Sequence, residues 1–207
     1  MPRRNRVNPY GEIIAVQDRG MFWGNRGCLH DRNQNLMRYS RGKAWAICLL
    51  EYKGIRRQLM APGRLTELFF LDEATALAAG HRPCGECRFS DYHDFRNAWT
   101  VAHPGQEARA PAIDARLHAN RLVAPGVRRR YVASLASLPD GAMVDLDGFP
   151  FLVVGDEMLA WRPGGYGERR PRYDDIQVAV ITPRATVATL AAGYKPVMHP
   201  SVRISAG

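Results

Sequence analysis

The 207-residue chain has no long apolar run, few cysteines and fewer acidic than basic side chains. Its longest apolar stretch, residues 44–50, is far too short to form a helix that crosses a bilayer, so no membrane association is expected. The basic start, residues 1–6, is followed by residues 7–10 without an apolar segment. Because a secretory signal needs such a segment, we expect a cytoplasmic protein in a reducing compartment.

Several catalytic signatures are also absent. The sequence contains no Gly-x-x-x-x-Gly-Lys-Thr, Gly-x-Ser-x-Gly or His-Glu-x-x-His segment, which leaves P-loop nucleotide hydrolysis, lipase-type catalysis and zincin proteolysis without support. Internal repeats and low-complexity tracts are missing as well. Any chemistry must therefore come from other groupings of cysteine, histidine, acidic and basic residues.

The most informative of these groupings is a Cys-x-x-Cys turn formed by Cys84 and Cys87. A short helix is predicted to begin after Asp72 and to end at Gly80, which directs the chain into this turn. Two thiols at this spacing converge on one side of a turn, where both sulfurs can bind a single tetrahedral Zn²⁺. A redox role is disfavoured, because no βαβ unit precedes the turn and the intervening Glu86 would raise the pKa of a thiol.

A closed structural zinc site needs two more ligands. Cys28 and His30 lie in a polar, glycine-containing loop that is able to face the turn, and they are the predicted third and fourth ligands. Cys48 lies within the apolar segment 46–50, where a cysteine ordinarily behaves as a small buried hydrophobic residue. The sequence therefore favours a site made of Cys28, His30, Cys84 and Cys87.

Four segments around this turn carry a family resemblance: Phe69-Phe70, Asp72-Glu73-Ala74, Ala78-Ala79-Gly80 and residues 82–88. Over about residues 66–90 the chain resembles the Ada-type zinc-binding domain, similar modules of which are appended to some bacterial nucleases. The resemblance implies that Cys84 and Cys87 are zinc ligands and that an upstream loop supplies the other two. By the same analogy, Cys28 would be a methyl acceptor. The whole chain also looks similar to a group of bacterial proteins of the same length, which implies no activity.

The order of the predicted elements indicates an α+β fold. A zinc-binding lobe of short strands and helices is expected over residues 1–127, and a small antiparallel β lobe with a C-terminal helix over residues 128–207. One continuous domain is the alternative. The predicted helices cover residues 73–79, 90–102, 111–122 and 183–192, and the predicted strands cover residues 12–17, 45–52, 55–60, 142–146, 149–154, 158–161 and 176–181.

The predicted helix 111–122 carries a polar seam. Asp114, His118 and Arg121 are spaced at i, i+4 and i+7, so their side chains share one face. His118 would be a general base oriented by Asp114, or the fourth zinc ligand. The alternative is an ordinary solvated helix face.

The formal net charge is +9 and is carried mainly by arginine. Two of its clusters are Arg128 to Arg130 and Arg169 with Arg170. Because the guanidinium fork suits phosphate, these five arginines are predicted nucleic-acid contacts, with solvated charged loops as the alternative. The leading hypothesis is a zinc protein that binds nucleic acid, with DNA favoured, in repair or processing. The second is a zinc-containing hydrolase or nuclease with a site at Asp114 and His118 between the lobes.

Overall fold

A computed structural model describes residues 2–54, 58–174 and 176–203 and shows an α+β fold, as predicted. The helices are α1 (Glu73–Ala78), α2 (Phe89–Ala102), α3 (Ala110–Arg121) and α4 (Arg184–Ala191). The strands are β1 (Arg4–Val7), β2 (Ile13–Ala15), β3 (Phe22–Asn25), β4 (Ala46–Leu49), β5 (Leu68–Phe70), β6 (Arg82–Pro83), β7 (Leu122–Ala124), β8 (Val127–Arg128), β9 (Tyr131–Ser134), β10 (Met143–Leu146), β11 (Phe149–Val154), β12 (Glu157–Arg162), β13 (Gly165–Pro171) and β14 (Gln177–Val180). Single 3-10 turns cover Leu135–Ser137 and Pro200–Arg203.

The N-terminal sheet is mixed and has the strand order β2-β1-β5-β3-β4-β6. Strand β1 runs parallel to β5, and β4 runs parallel to β6, whereas the other neighbours are antiparallel. Parallel neighbours need a long connection, and here the connection between β4 and β6 includes β5 and α1. The pairing of β4 with β6 positions the cysteines described below, because β6 leads directly into the Cys84 turn.

The C-terminal sheet is an antiparallel meander closed by two further strands, in the order β13-β12-β11-β10-β14-β9. Asp147 and Gly148 connect β10 to β11 with φ angles of 55° and 84°. Two-residue hairpin turns that match the twist of their strands require positive φ at both central residues, which explains why Asp and Gly occur at these positions. The predicted strands of this region all occur, within one or two residues of their predicted ends.

The helices follow the predicted signals. The Asp72 side chain accepts a 2.9 Å hydrogen bond from the Thr75 amide and so caps α1. Tyr92, Phe95 and Trp99 of α2 are buried, so this face of the helix packs into the interior. Among the described residues, no helix is long and apolar enough to cross a membrane. Of the predicted strand at 55–60, residues 55–57 lie outside the described residues and residues 58–60 are not strand.

One apolar core runs across the predicted lobe boundary at residues 127 and 128. Its buried side chains include Phe70 and Ile113 from the N-terminal part and Val144 and Val178 from the C-terminal part. Helix α1 makes polar contacts with the C-terminal part as well: Tyr166 Oη donates to Asp72 at 2.9 Å, Trp161 Nε1 to Thr75 at 3.0 Å and Tyr194 Oη to Glu73 at 2.7 Å. These contacts hold the N-terminal end of α1 against the C-terminal part of the chain, including β12 and β13.

Candidate metal centre

Three cysteine sulfurs form a cluster where β4 lies beside β6 and the turn that follows it. The Sγ atoms of Cys48, Cys84 and Cys87 all lie within 4.8 Å of one another. Sulfurs bound tetrahedrally to zinc at about 2.3 Å are separated by about 3.8 Å, so this cluster needs only a small contraction to hold an ion. Cys48 is buried, whereas Cys84 and Cys87 are partly exposed. The three thiols are therefore close enough to bind a metal ion that enters from the surface.

Parallel strand pairing places the third cysteine. Ala46 and Ile47 of β4 pair with Arg82 and Pro83 of β6, and the Cys84 amide donates to Ile47 O at 2.9 Å. Continuing this register by one residue sets Cys84 beside Cys48. Gly80, with a φ of 90°, ends the α1 segment and allows the chain to turn into β6. The site therefore depends on a strand pair that joins residues far apart in the sequence.

The turn after Cys84 supports negative charge on sulfur. The pKa of Cys84 is lowered to about 5, first by the hydrogen bond from the Cys48 thiol and then by the Glu86 and Cys87 amides. The same hydrogen bond, together with burial, raises the pKa of Cys48. Burial also raises the pKa of Cys87, against the opposing effect of the Leu49 amide. The cluster thus holds its first negative charge at Cys84, and a divalent cation is needed before all three thiols ionise readily.

In the metal-free protein, iodoacetamide is expected to alkylate Cys84 first at about pH 6, because a thiol of lowered pKa is already ionised there while an ordinary cysteine of pKa about 8.5 is below about 1% thiolate. The labelling rate should rise with pH through about 5 and then level off. Peptide mass spectrometry after short reactions at a series of pH values measures the labelling rate of each cysteine. Added zinc should protect Cys84, and equal labelling of Cys84 and the more distant Cys28 at every pH would contradict the expectation.

The loop that carries Cys28 and His30 does not join the cluster. His30 Nδ1 lies 2.6 Å from Thr66 Oγ1, and Nε2 lies 3.2 Å from Ala61 O, so both ring nitrogens are occupied. The Cys28 thiol donates to the carbonyl of His30 at 3.7 Å. Neither side chain is among the three grouped sulfur ligands. Cys28 is held by its own loop, and His30 is held by Ala61 and Thr66 of a distant segment, which is the physical reason why neither side chain meets the turn.

The interpretation of Cys48 as an ordinary buried hydrophobic residue was incomplete. Its side chain is buried, with 5% of the residue exposed, but its sulfur faces the two turn cysteines. The only sequence signal was its identity as a spare thiol in a chain with four cysteines. Its place beside Cys84 follows from β4 pairing with β6, a parallel contact that local patterns do not encode.

The predicted pair of Asp114 and His118 is not formed. Both carboxylate oxygens of Asp114 accept from Arg82, at 2.9 and 2.8 Å, in a buried bidentate ion pair. His118 Nδ1 instead lies 3.1 Å from Nη2 of the fully buried Arg121. Burial, Arg121 and Lys43 lower the pKa of His118. The imidazole therefore has a cation rather than an orienting carboxylate as its neighbour, which does not suit the general-base role.

Arg128 is turned inward rather than toward solvent. Its Nη1 and Nη2 atoms donate to the carbonyls of Ala79 and Ala78, at 3.0 and 2.5 Å. These carbonyls lie at the C-terminal end of α1, where a cation is stabilised by the helix dipole. Arg128 is therefore a helix-end ligand and is not an exposed phosphate contact.

Three of the other predicted arginines form ion pairs with carboxylates: Arg130 with Asp145, Arg169 with Glu157 and Arg170 with Glu168. Exposed or partly exposed pairs of this kind contribute little to stability, so they do not prevent contact with phosphate. Arg129 has an exposed side chain. Of the predicted arginines it is the one best placed to meet an external partner.

Comparison with protein-family models, curated proteins and solved structures finds no match. The resemblance to the Ada-type zinc-binding domain over residues 66–90 therefore stays a prediction. The cluster of Cys48, Cys84 and Cys87 is observed in the structure and does not depend on that resemblance.

Proposed function

We propose that this protein is a zinc protein that binds nucleic acid. The single observation that carries the metal part is the convergence of three sulfur atoms within 4.8 Å. Thiolate ligands select zinc or iron–sulfur clusters over magnesium and calcium, and an iron–sulfur cluster ordinarily takes four cysteines. Zinc accepts three thiolates and completes its tetrahedron with water or another small ligand.

The ion would cross-link the chain through its three protein ligands, while its fourth position would stay open to a small ligand, as it does in catalytic zinc sites. It would link β4 to β6 and to the turn that begins α2, three segments that otherwise meet through short strand pairs. Metal binding of this kind contributes directly to folding free energy, because the unfolded chain offers no preformed site. The hydrolase alternative depended on Asp114 and His118, whose side chains have separate partners, so no arrangement of that pair favours it.

Charge supports the nucleic-acid part of the proposal. The excess of 29 Lys and Arg over 20 Asp and Glu produces a net charge of +9. Such an excess attracts a phosphate backbone over several ångströms and releases its counterions on binding. DNA is the favoured partner, and repair or processing the favoured role, because the Ada-type resemblance points to them.

Binding to a fluorescent DNA duplex is expected to weaken steeply between about 50 and 200 mM salt, because each phosphate contact releases about 0.9 counterion. Arg129→Gln should reduce the slope of log K against log salt by about one, since it removes one exposed cation. Fluorescence anisotropy measures both.

The matched control is Arg109→Gln, which removes the same charge from an exposed arginine already paired with Glu107. It should change the slope less than Arg129→Gln does. Absence of binding to DNA and RNA at about 50 mM salt would remove the nucleic-acid part and leave the metal part intact.

A further inference from the structure

A surface groove of about 570 Å³ lies between residues 40–43 and the hairpin β7–β8. Its polar lining includes Lys43 and His118. The apolar part of its lining consists of Ala119, Leu122, Val123, Ala124 and Pro125. The volume falls within the roughly 300–1,000 Å³ of small-molecule sites, so the groove has room for a flat aromatic group such as a nucleobase.

Buried side chains hold both sides of the groove in place. Arg121, which is 0% exposed, donates to Lys43 O at 2.7 Å, and its Nη2 atom also lies 3.1 Å from His118 Nδ1. Because a guanidinium group only donates, His118 Nδ1 accepts, and the ring proton of the neutral imidazole is on Nε2. The indole of buried Trp45 donates to Gly42 O at 3.2 Å. Walls fixed in this way lower the entropy cost of binding a ligand.

The two chain segments that form the groove carry basic side chains and no acidic ones. Residues 32–50 and 115–139 contain neither Asp nor Glu. Three residues of these segments, Arg41, Lys43 and Arg129, are exposed. Among the ion pairs of the described residues, none includes these three cations. Their positive charge is therefore available to a polyanion.

The same three cations border the apolar lining. Lys43 lines the groove itself, and Arg41 lies between two residues that line it. Arg129 follows Arg128, whose partner in the β7–β8 register is the lining residue Leu122. Positive charges therefore stand on both sides of an apolar floor.

The hairpin also exposes apolar side chains beside these charges. Val123 is 55% exposed and Val127 is 52% exposed. An apolar surface bordered by cations matches a single nucleic-acid strand, which presents unpaired bases next to its phosphates. A duplex matches it less well, because its bases are stacked inside and its surface is mainly backbone.

We propose that this groove binds a single nucleic-acid strand, with one base on the apolar lining and the neighbouring phosphates on the bordering cations. The inference rests on the proposed nucleic-acid function and assigns it a place and a form of substrate. Histidine rings stack on unpaired bases, so His118 would contact the base while its Nε2–H group is a donor for the base edge. Arg41, Lys43 and Arg129 would contact phosphate oxygens. Zinc has no part in these contacts.

The test compares one strand in two forms. A fluorescein-labelled, mixed-sequence strand of about 16 nucleotides, long enough for an ordinary single-strand site, is titrated with the full chain alone and after annealing to its complement. Fluorescence anisotropy at about 50 mM salt should show the single strand binding about tenfold or more tightly than the duplex. Charge alone favours the duplex, which releases about 0.9 counterion per phosphate contact against about 0.7 for a single strand. The opposite preference therefore reports contact with bases.

Variants locate the site. Ala119→Leu fills the groove at an exposed position of α3 and preserves both charge and helix propensity. It should weaken single-strand binding by about tenfold and leave duplex binding unchanged. The matched control is Ala115→Leu, the same replacement at an exposed alanine of α3 that is not among the lining residues, and it should bind as the wild type does. Lys43→Gln should reduce the salt slope for the single strand by about 0.7.

Three results would overturn this inference alone and leave nucleic-acid binding elsewhere on the surface. These are duplex binding as tight as single-strand binding, equal single-strand affinity in Ala119→Leu and the wild type, and displacement of the strand by polyglutamate of equal charge as effectively as by unlabelled strand. Absence of binding to either form would overturn the inference together with the proposed nucleic-acid function.

Discussion

Replacing Cys48 with serine is expected to remove stoichiometric zinc from the protein. Wild-type protein should carry about one zinc per chain, whereas Cys48→Ser should lose affinity by more than the roughly 10–100-fold typical of residues that only orient metal ligands. A serine hydroxyl does not ionise at the pH values at which a cysteine thiol becomes a thiolate, so serine cannot replace the metal ligand. Elemental analysis and competition with a chromophoric chelator measure content and affinity. The melting temperature should fall in parallel, because metal binding is linked to folding.

Cys28→Ser is the matched control. It makes the same atomic replacement in a cysteine whose sulfur donates to the His30 carbonyl and lies outside the cluster. It should retain zinc. Loss of zinc in Cys28→Ser, or full zinc affinity in Cys48→Ser, would contradict the assignment and would favour the ligand set expected from the sequence.

Asp114→Ala is expected to lower the free energy of unfolding by about 3–5 kcal/mol, because it leaves the Arg82 guanidinium buried without its partner. Side-chain exposure is only 8% for Arg82 and 7% for Asp114, so water cannot replace the carboxylate. Arg82 also precedes Pro83 and Cys84, so the variant should be compared with the wild type at saturating zinc. Urea denaturation measures the difference.

Glu107→Ala provides the comparison for this loss. It removes the carboxylate that pairs with Arg109, in an ion pair whose Glu107 side chain is 60% exposed and whose Arg109 side chain is 83% exposed. The free energy of unfolding should fall by less than about 1 kcal/mol. A double variant, Arg82→Met with Asp114→Leu, should be more stable than Asp114→Ala alone, since it leaves no unpaired charge. A loss below about 1 kcal/mol for Asp114→Ala would contradict the structural role of this ion pair.

Local signals predicted much of the fold. Asp72, followed by an apolar helical segment and Gly80, predicted α1 and its ends, because capping and positive φ are properties of neighbouring residues. The Asp147-Gly148 turn between β10 and β11 likewise depends on the φ angles of two neighbouring residues. The seam on α3 was harder to interpret. Spacing placed Asp114 and His118 on one face, but their partners, Arg82 and Arg121, were decided by packing.

The α+β class, the helix ends and the Cys84–Cys87 turn could be predicted from the sequence, because they depend on interactions within a few residues. Long-range packing makes Cys48, and not Cys28 or His30, the third member of the sulfur cluster, since a parallel strand pair brings residues 48 and 84 together. Packing also separates the arginines: Arg129 is exposed, Arg26 and Arg121 are buried, and Arg128 is partly buried with its side chain bound to the end of α1. Composition reports how much charge a chain carries, whereas burial depends on which distant segments pack over each side chain.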